Sequence, residues 1–315
     1  NWNYNLSTGN VPEQGVQQGL KPEESDSYEI GFDLRMFQNR IGIDFTYYNE
    51  VTKNQIGYLE AVQSTGYSEI LSNIGEVLNK GFEVMVSTVP VKTNDLTVGL
   101  NFNFAKNKGT LEKLRDEVPR VDHGMGVYSY LKQDLGQIVG SIYDRNENGD
   151  IIIDENGLMT TAQGDNHVIG NLQPDWTGSI NLSVDYKGLY MSALVSIQQG
   201  GDILSSSERS AVSAGTAERT NANNRIALFA DGVTMDGGSN TTIISAEEYW
   251  RQLSKVDEEF IYDASHMKLK ELAIGYNLPK SILSKIPHNP IKSARVSLVG
   301  RNLFYFYKDT PGTAP

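Results

Sequence analysis

The first clear signal along the chain is a period of two. From residue 27, "SYEIGFDLRMF", the residues Tyr28, Ile30, Phe32, Leu34 and Met36 fall on one side and Glu29, Gly31, Asp33 and Arg35 on the other. After the polar residues Gln38 to Arg40, "IGIDFTYYNEV" repeats the alternation, with Ile41, Ile43, Phe45 and Tyr47 opposite Gly42, Asp44, Thr46 and Tyr48. Alternation of this kind predicts a strand pair with one apolar and one polar face. Three further pairs read the same way: "GFEVMVSTV" with "DLTVGLNFNFAKN", "TGSINLSVDY" with "LYMSALVSIQQ", and "MKLKELAIGYNL" with "ARVSLVGRNLFYF". Glu271 and Asn302 interrupt the last pair. "PKSILSKIPHNPIKS" between its two strands predicts a short helix after Pro279.

The connections are uneven. Short turns are predicted at Gln38 to Arg40, around Pro90 to Asn94 and at Lys187-Gly188, whereas residues 51 to 80, 106 to 176 and 199 to 264 read as long links rich in Gly, Ser, Asn and Asp. About eight long strands with short turns at one end and long loops at the other fit an outer-membrane barrel better than a soluble sandwich, whose mean strand is about 5 to 6 residues. The expected fold is all-β: a partial antiparallel transmembrane β-barrel with long external loops. Its apolar face would meet lipid and its polar face a wet lumen. Tyr28, Tyr47, Tyr48, Tyr186, Tyr190 and Trp176 lie near strand ends, where interfacial girdles belong.

Composition narrows the classes. Of the 315 residues, 39% are hydrophobic, yet no window approaches the roughly 20 apolar residues of a membrane helix. A net charge of -12 argues against nucleic acid or anionic lipid as the main partner. The absence of cysteine excludes disulfides, thiol catalysis and thiolate metal sites. With no initiator Met and an abrupt end at "DTPGTAP", the chain reads as a piece of a longer polypeptide.

Six blocks resemble the SusC/RagA-like TonB-linked outer-membrane transporters of Bacteroidetes-type bacteria. They are residues 20 to 56 ("LKPEESDSYEIGFDL…"), 73 to 84 ("NIGEVLNKGFEV"), 144 to 157 ("DRNENGDIIIDENG"), 168 to 203 ("VIGNLQPDWTG…"), 262 to 279 ("YDASHMKLKELAIGYNLP") and 295 to 306 ("RVSLVGRNLFYF"). The resemblance implies that residues 1 to 315 are a C-terminal part of the barrel, without the plug or the terminal strand. It implies active import of an oligosaccharide, peptide or other nutrient at the Gram-negative outer membrane. The implied partners are a SusD-like surface lipoprotein acting as a lid and, through the missing N-terminal region, the TonB complex. No cofactor and no enzymatic activity are implied. About eight strands cannot close around a channel wide enough for an oligomer, so further strands must complete the ring. The rival readings are a soluble calcium-stabilised β domain that binds glycans and a passive porin-like channel.

One chemical motif stands out. Asp144, Asn146, Asn148, Gly149, Asp150 and Glu155 match the spacing D-x-[DN]-x-[DN]-G-x5-E of a calcium loop, so a structural Ca2+ is one expectation. The other is a solvated Asx-rich turn that binds nothing, because the flanks are not helical. Tyr249 and Trp250 in "EEYWRQL" offer a surface for a sugar ring or the lid, or simply pack on their own loop. His123, His167, His266 and His288 lack metal-binding spacing. The acidic runs Glu23-Glu24, Glu247-Glu248 and Asp257-Glu258-Glu259 read as solvated loop charge, and no catalytic motif is present.

Overall fold

The computed structural model describes residues 14–60, 66–67, 69–116, 118–164, 167–283 and 293–311. Eight long strands form one antiparallel sheet: β1 (Glu24–Met36), β2 (Ile41–Glu60), β3 (Glu69–Lys92), β4 (Leu96–Leu114), β5 (Trp176–Tyr186), β6 (Leu189–Gln199), β7 (His266–Asn277) and β8 (Arg295–Lys308). Each pairs with its sequence neighbour, and the sheet is open, with β1 and β8 at its edges. A short strand, Gln14–Val16, lies parallel to the far end of β3.

The registers fix the two faces. Leu34, Ile43, Val86, Phe102, Ile180 and Val195 stand in one row across β1 to β6, and the apolar side chains of this face are largely exposed. An unsupported apolar face of this size has no place in water. From Trp176 to Tyr186, β5 covers ten steps of about 3.3 Å, roughly 33 Å, which at a tilt of about 40° gives the height of a barrel's apolar band, about 25 Å. Phe32, Phe45, Phe82, Phe104 and Trp176 form a continuous stack on this face, one ring per strand, with centroids 5.4, 6.4, 5.6 and 5.4 Å apart.

The short turns sit at one end of the sheet. Lys187 and Gly188 both have positive φ (48° and 89°), the geometry of a two-residue turn whose twist matches the strands. The first turn begins one residue earlier than its polar run suggests, at Phe37, and uses three consecutive left-handed residues, Phe37 to Asn39. Pro90 is not in a turn. It lies where the β3–β4 register shifts between Thr88 and Val91, because a residue without N–H fits a bulge, and the chain reverses at residues 93–95 instead. The interruptions read at Glu271 and Asn302 are register shifts as well, with Asn302 at φ 52°.

Two links are shorter than their composition suggests. Residues 51–60 and 69–80 are not loop: β2 and β3 continue as a paired ribbon well past the apolar band, and β4 runs with them to Leu114. Beyond lipid no face needs to be apolar, so the ladder persists while the alternation fades. The short helix after Pro279 covers Lys280–Leu283, and the rest of that link, with His288, lies outside the described residues.

Candidate functional site

At the long-loop end, the two links after β4 and β6 fold on each other. The first contributes a small sheet of Val121–Asp122, Val127–Ser129, Gln137–Gly140 and His167–Asn171. The second contributes helices α1 (Ser206–Ser213) and α2 (Ala246–Leu253), each with a serine N-cap whose hydroxyl accepts from the amide of a glutamate three residues on: Ser205 from Glu208 and Ser245 from Glu248, both at 3.2 Å. The loop reading missed both helices, although these S-x-x-E boxes were legible. Tyr143, Ile153 and Met159 of the first link pack with Val212, Leu253, Val256 and Phe260 of the second in a common core, Phe260 and Val256 being fully enclosed. The external excursions therefore form a folded module.

The acidic run Asp257-Glu258-Glu259 holds this module together and is not solvated charge. Asp257 pairs with Arg209 of α1, Glu258 with Arg145 at 2.7 Å and Glu259 with Arg219 at 2.8 Å. Asp257 also accepts from the backbone N–H and the hydroxyl of Ser141, both at 3.1 Å. Tyr143 donates its hydroxyl hydrogen to Glu259 at 3.2 Å. Burial, reinforced by the negative charge of Glu259, pushes the Tyr143 hydroxyl well above the ordinary phenol range, so it stays a donor. Burial also raises Tyr249 and Tyr262 beside it.

Tyr249 and Trp250 are half-buried against the module's core, their rings in an edge contact at 4.8 Å, because α2 turns them inward. The pair is not displayed to solvent. Among the described residues the indole N–H of Trp250 has no hydrogen-bond partner.

The acidic motif forms two successive turns joined by the short strand Ile152–Ile153, with bridges Arg145↔Ile151 and Ile153↔Met159. Asn146 Oδ1 accepts from the backbone N–H groups of Asn148 and Asp150, both at 2.9 Å, and its amide donates to Asp150 at 3.1 Å. Asp154 builds the second turn in the same way, accepting from Asn156 and Leu158. The structure thus brings Asn146 and Asp150 together but leaves Glu155 in the other turn, across an extended segment. Asn146 Oδ1 is spent on amides, and among the described residues no group of three or more His, Asp or Glu side chains is placed to hold a metal. This donor set does not fit a calcium ion.

Below the module lies the sheet's polar face. Asp44, Met85, Asn103, Ser179 and Ser196 form one row across it, and Thr46, Glu83, Ala105, Thr177, Gln198 and His266 the next. Asn103 donates to Ser179 at 3.0 Å, and Arg35 pairs with Asp33 at 2.6 Å and Asp44 at 3.3 Å. Tyr48 belongs to this face and not to the lipid girdle. It lies across Gly81, where a Cβ would sit 2.6 Å from its hydroxyl oxygen, and donates to Asn107 at 3.1 Å. Tyr190 is also on the polar side, under the Arg295 guanidinium at 4.7 Å. Of the described histidines, His123 bonds Ser129 at 2.9 Å, His167 sits in the module's small sheet, and His266 looks into the polar wall.

A two-faced antiparallel sheet with short turns at one end and a folded module at the other defines a wall segment of a transmembrane β-barrel. The family described as "TonB dependent receptor-like, beta-barrel" matches residues 2–284, and the chain belongs to it. TonB-dependent receptor P3 of Formosa agariphila is 28% identical over 94% of this chain and 31% of its own length. TonB-dependent receptor SusC of Bacteroides thetaiotaomicron is 20% identical over 84% of this chain and 27% of its own. The chain spans about a third of the length of such relatives. Among solved structures, that of the RagAB peptide transporter shares the fold with a TM-score of 0.65 at 19% identity, covering 90% of this chain and 32% of that one.

Proposed function

We propose that this chain is part of the barrel wall and external surface of an outer-membrane importer that takes up oligomeric nutrients, oligosaccharides or peptides, with energy delivered through TonB. The observation that carries the reading is the sheet itself: one face apolar and exposed over a membrane's thickness, the other made largely of hydrogen-bonding side chains. Such a wall lines a wet path. The folded module stands where a substrate would arrive from outside and offers a rigid seat for a SusD-like surface lipoprotein. Further strands would complete the ring, and no catalytic step is assigned.

Uptake of labelled oligomers by cells carrying the intact protein tests this. Uptake should require both the protein and an energised TonB system, and a surface lipoprotein should co-purify. Uptake that persists without TonB would favour the passive channel, and a protein recovered in the soluble fraction would favour the glycan-binding domain.

A further inference from the structure

The polar wall is not evenly charged. On β1 to β3 it carries Glu29, Asp33, Asp44 and Glu83, offset by Arg35 alone. On β4 to β6 its mid-strand positions are neutral, Asn103, Ser179 and Ser196 among them. On β7 it carries Lys268 and Lys270 beside His266, and its one carboxylate there, Glu271, is paired with Arg301 at 2.9 Å. A groove of about 630 Å³ crosses the middle of this wall, with Asp44 and Glu83 at one end and His266 and Lys270 at the other.

Two of these charges are left open. Among the described residues the side chains of Glu83 and Lys270 make no hydrogen bond or ion pair, whereas Asp44 is shared with Arg35 and Lys268 donates to the Tyr305 hydroxyl at 3.2 Å. Four strand spacings of about 4.8 Å, about 19 Å, separate Glu83 from His266 in its own row, and Lys270 lies four residues further along β7, so Glu83 and Lys270 stand more than about 19 Å apart along the wall. That is beyond the Debye length of about 8 Å at physiological salt, and neither can satisfy the other. Between them the floor offers amides and hydroxyls, and no Phe, Tyr or Trp of the polar face lines it for a sugar to stack on.

We propose, building on the import reading, that this groove selects oligomers with a cationic and an anionic end over neutral ones: short peptides with free termini. Glu83, with Asp44, takes the ammonium end. Lys270, with His266, takes the carboxylate end. An extended peptide advances about 3.3 Å per residue, so about six residues span the two charges, and their backbone amides meet Asn103, Thr177 and Gln198 on the way.

The test is calorimetric binding to the intact protein in detergent. The probes are a Gly/Ser hexapeptide with free termini, the same peptide acetylated and amidated, and a neutral glucan hexamer. The free peptide should bind about tenfold tighter than the blocked one, and Glu83→Gln or Lys270→Gln should each remove that preference. Glu83→Lys should abolish it, and the double change Glu83→Lys with Lys270→Glu should restore it with the peptide reversed. That restoration also shows that the variants fold. Equal binding of free and blocked peptides, or tighter binding of the glucan, would overturn the proposal while energised uptake continued to support import. Loss of energised uptake for every oligomer would instead remove the import reading on which the proposal rests.

Discussion

Glu259 accepts a hydrogen bond from the Arg219 guanidinium at 2.8 Å while its other oxygen takes the hydroxyl hydrogen of Tyr143 at 3.2 Å. One carboxylate thereby joins both external links. The guanidinium also lies over the Phe260 ring at 4.9 Å, which ties the ion pair to the buried core. Both side chains of the pair are about 30% exposed, between the surface case and the buried one. Replacing Glu259 with Gln should therefore cost the module about 1 to 2 kcal/mol. Limited proteolysis should then cut within residues 199–264 sooner, while the barrel strands stay protected. Unchanged cutting would mean that the hydrophobic core holds the module without the staple.

The topology has its own test. The three short turns should face the periplasm and the module the outside. A cysteine at Ser206 should react with an impermeant label on intact cells, and one at Lys187 should not. The opposite result would invert the sheet in the membrane.

The face assignment predicts an asymmetry between adjacent residues. Leu100 stands on the apolar face and Asn101 beside it on the polar one, opposite Asn181. Arginine at Leu100 or Ile43 should cost about 2 to 4 kcal/mol of barrel stability, and at Asn101 far less. Urea unfolding in lipid vesicles reads the difference. Equal penalties would mean that the apolar face does not meet lipid.

Legibility in the sequence followed the range of the forces. The strands were readable because lipid on one side and water on the other impose a period of two on every residue from Tyr28 to Met36, and the same holds in the other hairpins outside the register shifts at Glu271 and Asn302 of the last. Where only one side of that constraint operates, as in the ribbon of residues 51–60 and 69–80, the ladder continued and the reading failed. Asp257-Glu258-Glu259 looked like solvent charge because its partners are distant in the chain: Arg209 is 48 residues away, Arg145 is 113 from Glu258, and Arg219 is 40 from Glu259. No window of sequence contains such pairs. The helices were different, since Ser205–Glu208 and Ser245–Glu248 announce their starts locally. The groove between Glu83 and Lys270 needs the registers of five strands before it exists at all.

The calcium-like motif yields the last prediction. Spacing alone collects five oxygen-bearing residues within residues 144–155, and spacing is what a metal loop and a pair of Asx turns share. The difference lies in what the oxygens already do. Asn146 Oδ1 accepts two backbone amides and Asp154 Oδ1 two more, so both turns close without an ion. Gly149, at φ 89°, supplies the left-handed step that either reading requires and does not discriminate. Millimolar calcium should therefore give no binding heat and no shift in the module's melting. Asn146→Ala should destabilise the first turn by about 0.5 to 1.5 kcal/mol for each amide bond lost, with or without calcium. Asp144→Ala should cost less, since nothing in the turn rests on its carboxylate. Saturable calcium binding that disappears in the Asp144→Ala and Asp150→Ala variants would show that the loop rearranges around an ion after all.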